Sequence, residues 1–244
     1  MAQIFKVGGC IRDKFLGLDS KDIDFTFVCE NSKSVEEGWG EMKAWLIANG
    51  FEIFLETPDC FTIRAKFPKG HKHEGLVADF VMARKEIGYT EGTRRPILEL
   101  GTLHDDLIRR DFTVNALAED IDGNLIDPFD GVRDLKAGVL KTPIDANITM
   151  MDDPLRILRA LRFTVTKDFQ MSGEIWQAIQ QPNILKKLEL TVSGERIREE
   201  IGKMMKHNTT RSIRLLMDVD DIVPGFLDLV FKDGMWLMPT FKKQ

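Results

Sequence analysis

The spacing of apolar positions changes character along the chain, and the change falls near residue 146. Residues 3–9 (QIFKVGG) predict a short strand closed by a glycine pair, and residues 10–17 (CIRDKFLG) a helix stopped by Gly17. Residues 22–29 (DIDFTFVC) alternate and are rich in β-formers, which predicts a strand. Val35, Trp39, Met42, Trp45 and Leu46 recur at three- and four-residue spacings, so 33–49 reads as an amphipathic helix closed by Asn49-Gly50. Strand-like runs follow at 51–56, 60–67 and 76–82, with loops at 68–75 and 86–103, the second marked by Gly88, Gly92, Pro96 and Gly101. Helical character resumes at 105–118, and Asp122-Gly123 turns the chain into 124–127. From 150 onward the pattern is helical, at 152–166, 172–181, 193–206 and 208–219. A sheet domain over 1–145 and a helical domain over 146–244 follow, an α+β chain with no internal repeat.

Composition narrows the class. The chain has 244 residues, 43% hydrophobic and 30% charged, which suits a globular protein with a real core. Its net charge of −5 is unevenly divided: residues 146–244 carry 15 Lys+Arg against 13 Asp+Glu, leaving −7 for residues 1–145. No bulk basic footprint for nucleic acid exists, so any RNA contact must rest on local patches. Cys10, Cys29 and Cys60 form no C-x-x-C pair, which argues against a disulfide framework or zinc site and fits a reducing cytosol. No signal peptide and no membrane-spanning run is visible, and a cytoplasmic location is the expectation.

The chemistry centres on Asp22-Ile23-Asp24. On a strand, residues i and i+2 project to one face, so the two carboxylates point together. Such a pair suits Mg²⁺, a hard cation that prefers oxygen ligands, and two-metal sites use carboxylates to clamp attacking and leaving oxygens. Alone, a D-x-D is more often a polar strand edge. Here Gly8-Gly9 and Ile11-Arg12-Asp13 stand just upstream, where glycine lets backbone approach a ligand, a helix start offers N–H groups, and Arg12 adds a charge. The same residues also read as a tight strand-to-helix turn. Further on, Asp153, Arg156, Arg159 and Arg162 recur every three residues beside Leu155, Ile157, Leu158, Leu161 and Val165. Three guanidiniums with one carboxylate against an apolar wall require an anionic or polar partner, whereas a solvated face more often alternates Glu with Lys.

VGGCIRDKFLGLDSKDIDF (7–25) resembles the first motif of the class II CCA-adding tRNA nucleotidyltransferases and their bacterial poly(A) polymerase relatives. The likeness continues in order through LIRRDFTVNALA (107–118), DGNLIDPFDG (122–131), DDPLRILRALRF (152–163) and GERIREEI (194–201). It implies a polymerase-β-like head, a mixed sheet with helices, followed by an all-α neck. It implies two Mg²⁺ ions on Asp22 and Asp24, with Gly9, Arg12 and Arg110 positioning the nucleotide. Asp153 and Arg156 would read the base edges of C and A in place of a template, and Arg159 and Arg162 would contact triphosphate or sugar. Asp111 and Thr113 are assigned to hydrogen bonds that lock the domain. Asp79 falls where the family has an acidic residue: it is either a third ligand or general base, or the partner of Arg84 or Lys85 in an ion pair.

The activity implied is template-independent addition of CMP and AMP, from CTP and ATP, to a tRNA 3′ end with release of pyrophosphate. The alternatives are poly(A) addition, a partial enzyme adding only CC or only A, a toxin-like transferase, and a binding module that has lost catalysis. Glu195, Arg196 and Glu199 are expected to brace the arginine helix. His104-Asp105 lacks the further ligands an HD metal dyad needs, and His71 and His73 sit in a Lys/Gly-rich loop. Family members continue into body and tail domains; a minimal enzyme, a fragment and a homodimer through the apolar stretch Phe226, Leu229, Phe231, Trp236, Leu237 and Phe241 all stay open.

Overall fold

Strand-forming runs in the first half of the chain assemble around β1 (Gln3–Val7) and β2 (Ile23–Val28), which pair antiparallel. The computed structural model describes residues 3–20, 22–89, 96–232 and 234. β3 (Glu52–Thr57), β4 (Thr62–Lys66) and β5 (Val77–Met82) continue the sheet as a meander, and β5 joins β2 in parallel. β6 (Arg84–Tyr89) and β7 (Pro96–Leu100) form a separate antiparallel ribbon, where the glycines and proline of 86–103 predict only loop. β8 (Ala118–Glu119) and β9 (Leu125–Ile126) complete the main sheet, whose order is β3-β4-β5-β2-β1-β8-β9.

Strand alternation divides β2 between two environments. Ile23 and Phe27 are buried on one face with Ile63, Phe80 and Met82, while Asp24 and Thr26 take the other. Phe25 stacks on Phe80 at 5.1 Å, and Phe51 meets Phe80 edge-on at 5.0 Å. After α1 (Gly9–Phe15), the helix covering this face is α2 (Val35–Ala48), which buries Val35, Gly38, Met42 and Leu46. Each large apolar side chain removed from water here contributes about 1.5–3 kcal/mol. Gly38 permits the approach, since a β-carbon there would lie 2.7 Å from Leu100 and 2.8 Å from the Met82 sulfur.

The opposite face is covered by shorter pieces. α1 ends where Gly17 takes φ 67, a conformation that favours glycine. α3 (Leu103–Ile108) starts from a capping box in which Thr102 and Asp105 bond each other's backbone N–H, so Asp105 is a cap. The helix expected over 105–118 stops at Ile108. Beyond it the Asp111 carboxylate accepts the Phe112 N–H at 2.8 Å and the Asn115 side chain at 2.8 Å, and 113–115 forms a 3₁₀ turn. Thr113 donates to Asp134 in α4 (Gly131–Ala137), so Asp111 and Thr113 act as locks.

Contacts divide the chain into Met1–Ala137 and Gly138–Gln244, earlier than the break near 146. The reason is β10 (Val139–Leu140), which pairs in parallel with β11 (Gln170–Met171) and draws 138–145 into the second unit. That unit contains α5 (Ala146–Asp152), α6 (Leu155–Thr166), α7 (Gly173–Ile179), α8 (Pro182–Thr191), α9 (Gly194–His207), α10 (Thr209–Ile222) and α11 (Phe226–Phe231). The helix expected from 152 is broken: Pro154 disfavours helix at Asp153, whose backbone is extended (φ −134°, ψ 98°). Leu155, Ile157, Leu158, Leu161, Phe163 and Val165 bury one side of α6, and α9 presents Ile197, Ile201 and Met204 to the same core. Phe226 is buried in this unit and Leu229 and Phe231 are half-buried; Trp236, Leu237 and Phe241 lie outside the described residues. Among the described residues no helix is long and apolar enough to cross a membrane.

Two glycines test the packing in opposite directions. At Gly131 a β-carbon would fall within bonding-level contact of the Thr113 carbonyl oxygen and 2.8 Å from its carbon, which backbone cannot yield. Gly131→Ala should destabilise by about 1–3 kcal/mol. Gly202 lies inside α9 with nothing within 4 Å of an added β-carbon. Gly202→Ala should stabilise by about 0.5–1 kcal/mol. Denaturant melts of both variants read the two signs.

Candidate active site

The parallel pairing of β2 with β5 sets Asp24 and Asp79 as register partners, and Asp22 lies immediately before β2. Paired residues on neighbouring strands project to the same face, so two carboxylates share one surface with a third close by. Burial pushes the Asp24 carboxyl above the usual carboxylate range. Arg110 opposes the rise, the negative charges of Asp79 and Asp22 add to it, and Arg64 opposes it more weakly. Arg64 is the register partner of Asp79 on β4. It holds both Asp79 oxygens, with Nε donating to Oδ1 at 2.6 Å and Nη2 to Oδ2 at 2.7 Å. That hydrogen bonding and charge, joined by Asp22 and Asp24, raise the Arg64 pKa. The ion-pair partner of Asp79 is therefore Arg64 rather than Arg84 or Lys85. Arg84 donates instead to the Cys60 carbonyl and lies over the Phe61 ring.

The turn after β1 brings backbone against this surface, because Val7 is the register partner of Asp24. Of the glycine pair, Gly8 is the position that demands glycine. Its φ is +78°, and a β-carbon there would meet Nη1 of Arg110 at 2.6 Å. Gly9 is the first residue of α1. Arg12 is not open to a ligand as expected: it is 7% exposed, with Nη1 donating to Asn115 Oδ1 at 2.5 Å and Nε and Nη2 to Asp13. Its charge ties α1 to the 3₁₀ turn.

Arg110 stands at the edge of the carboxylate surface, and its anchor is a residue that the sequence reading passed over. Asp106 is fully buried. Its Oδ2 accepts Thr26 Oγ1 at 2.8 Å and the Arg110 Nε and Nη2 at 3.2 and 2.7 Å, while Oδ1 accepts Arg109 Nη2 at 2.5 Å. Burial alone would raise its pKa. The guanidiniums of Arg110 and Arg109, with hydrogen bonds from Arg110 and Thr26, outweigh that and bring it down to about 2. The only hint in the sequence was a carboxylate three and four residues before two arginines on a helix.

In the second unit the arginine ladder is largely tied to protein partners. Asp153 caps α6, with Oδ1 accepting the Leu155 N–H at 3.2 Å and Oδ2 facing Arg196 Nη2 at 3.4 Å. Arg156 donates to the Thr149 carbonyl at 3.0 Å. Arg159 is half-buried on the same helix. Arg162, expected to contact triphosphate or sugar, instead pairs with the buried Glu200 at 2.6 Å and lies 4.5 Å over the Phe163 ring. Bracing of this helix thus comes from Arg196 and Glu200. Glu199 pairs with Lys203 along its own helix.

A divalent cation fits the first-unit surface chemically, because Asp24 carries the electrostatic cost of two neighbouring carboxylates that a cation would relieve. Among the described residues no group of three or more His, Cys, Asp or Glu side chains is arranged to hold a metal ion, consistent with Asp79 being held by Arg64.

The chain matches the poly A polymerase head domain over residues 4–141 and belongs to that family. It is 34% identical over 208 residues to the mitochondrial CCA tRNA nucleotidyltransferase of Candida glabrata, covering 81% of this chain and 38% of that protein. The Thermotoga maritima CCA-adding enzyme complexed with tRNA shares 28% identity at a TM-score of 0.67, covering 95% of this chain and 48% of that one. A CCA-adding enzyme in complex with CTP shares 29% identity at a TM-score of 0.71, with the same coverages. The chain therefore spans less than half the length of these relatives.

A carboxyl whose pKa rises on folding destabilises the fold once it ionises. Asp24→Asn should therefore raise the melting temperature at pH 7 in metal-free buffer. The gain should shrink as pH falls through the folded-state pKa of Asp24 and vanish at still lower pH. A variant no more stable than wild type at pH 7 would mean that burial, with the charges of Asp79 and Asp22, does not load this position.

Proposed function

We propose that the chain is a template-independent nucleotidyltransferase that transfers CMP and AMP from CTP and ATP to the 3′ end of tRNA. The observation that carries this reading is the register of β2 and β5, which puts Asp24 beside Asp79 with Asp22 adjacent and Arg110 at the edge. Family membership and the relatives named for CCA addition support the substrate assignment.

In the reaction, the tRNA 3′-oxygen attacks the α-phosphorus in line. The bond from that phosphorus to the α–β bridging oxygen breaks, pyrophosphate leaves, and the hydroxyl proton passes to water. Asp22 and Asp24 would hold Mg²⁺, which when bound activates the attacking hydroxyl and neutralises charge on the triphosphate. Gly8 and Gly9 let backbone come close to the nucleotide, and Arg110 offers a guanidinium edge to phosphate. Asp79 remains on the carboxylate surface, its orientation set by the two bonds from Arg64. Asp153 and Arg156 are the proposed readers of the base, ordered by the α6 cap and the Thr149 carbonyl. Arg159 lies one turn further along the same helix as a phosphate or sugar contact. Three free cysteines fit a reducing compartment such as the cytosol, and the Candida relative is mitochondrial.

The test is incubation with Mg²⁺, labelled CTP or ATP, and tRNAs ending before C, CC and CCA. Stepwise addition that halts at a completed CCA end is the expected outcome. Long A tails, or addition of only CC or only A, would replace this specificity with one of its relatives. Asp22→Ala with Asp24→Ala should cut incorporation at least ~10³-fold while leaving a cooperative melt. Retained activity in that double variant would remove the carboxylates from the mechanism.

A further inference from the structure

We propose that Asp106 is a positioning residue for nucleotide binding, holding Arg110 off the catalytic carboxylates and over the Gly8 turn. The inference rests on the reading of Arg110 as a phosphate contact and extends it to the residue that makes the contact available.

The geometry is a three-point tie. Thr26 lies two residues after Asp24 on the same face of β2, and its hydroxyl donates to Asp106 Oδ2. The same oxygen takes Nε and Nη2 of Arg110, which leaves the Nη1 edge beside the Gly8 turn. Among the described residues Nη1 has no hydrogen-bond acceptor, and the Arg110 side chain is 22% exposed. One edge of the guanidinium is therefore docked and the other is open at the rim of the carboxylate surface. The spacing between that open edge and Asp24 is set through a single buried carboxylate.

Tying α3 to β2 needs only an acceptor for the Thr26 hydroxyl, whereas the charged side chain also holds Arg109 through Oδ1 and Arg110 through Oδ2. What the charge adds is a firm hold. Asp24 stands on the same face of β2 as Thr26, so it is a second carboxylate on the surface that Arg110 borders, and a stronger partner keeps the guanidinium over the Gly8 turn. Asp106 is that partner because it is fully buried, where a charge pair is screened least, and because it engages two guanidinium N–H groups at once. An asparagine there would keep one acceptor but turn an amide N–H toward a guanidinium, so one of the bonds must be lost.

The decisive experiment is a double-mutant cycle read by calorimetric titration of ATP and CTP, with Mg²⁺ present, into the whole chain. Asp106→Asn and Arg110→Ala should each weaken binding about tenfold, as loss of a charge-assisted contact does. The double variant should bind no more weakly than Arg110→Ala alone, because Asp106 acts only through Arg110. Independent losses that multiply to about a hundredfold, or an Asp106→Asn variant that binds as wild type does, would overturn the inference. Melting temperatures accompany each titration. Should Asp106→Asn not fold, Asp106→Glu, which keeps the charge but moves it by one methylene, enters the same cycle with the same two outcomes. A wild-type chain that binds nucleotide but incorporates none would refute the polymerase reading and leave this one standing. A chain that binds neither nucleotide refutes both.

Discussion

Parallel pairing of one pair of strands governs the first unit. Once β2 lies beside β5 in the observed register, Asp24 and Asp79 must share a face, because strand pleating leaves no other direction for either side chain. Burial makes the Asp24 charge costly, and the neighbouring Asp79 carboxylate adds to that cost. Much of the surrounding polar structure offsets that strain. Arg64 comes from the next strand and grips Asp79, while Arg110 comes from the end of α3 and faces Asp24. The apolar face of the same strands is ordinary by comparison. There Phe27, Ile63 and Phe80 pack on α2 and supply the rigidity that lets the charged face stay assembled.

Arginine has two distinct uses in this chain. Arg12 and Arg162 are structural: each is mostly buried and satisfied by side chains far away in sequence, Asn115 and Glu200 respectively. Arg110 and Arg64 stand at the rim of the carboxylate surface. The distinction is one of burial and partner, and sequence spacing does not carry it. An arginine on a helix ladder looks the same whether it meets a phosphate or a buried glutamate. In α6 two rungs of the ladder meet protein partners, Arg162 at Glu200 and Arg156 at the Thr149 carbonyl.

Proline and side-chain capping account for where sequence-based boundaries were displaced. Residues 105–118 look continuous in helical period, but α3 stops at Ile108, and beyond it Asp111 bonds the backbone N–H of its own neighbour in place of a helical continuation. Pro154 separates α5 from α6 and converts Asp153 from a member of the ladder into a cap. The β6–β7 ribbon was hidden because its glycines and proline mimic a loop, and its pairing is confirmed only when the two strands meet. Residues 138–145 joined the helical unit for a comparable reason, since β10 finds its partner some thirty residues later in the chain, in β11.

Short-range pattern alone determined the strand and helix types of the first eighty residues, the helical character after 150, and the carboxylate pair at Asp22 and Asp24, because side-chain period and i, i+2 geometry are local properties. Tertiary structure decided which charges are free. Asp106 lies 80 residues from Thr26, and Glu200 lies 38 from Arg162. No periodicity links such pairs. Their meeting depends on how sheet and helices pack, and burial then turns an ordinary acidic residue into the anchor that orients an arginine.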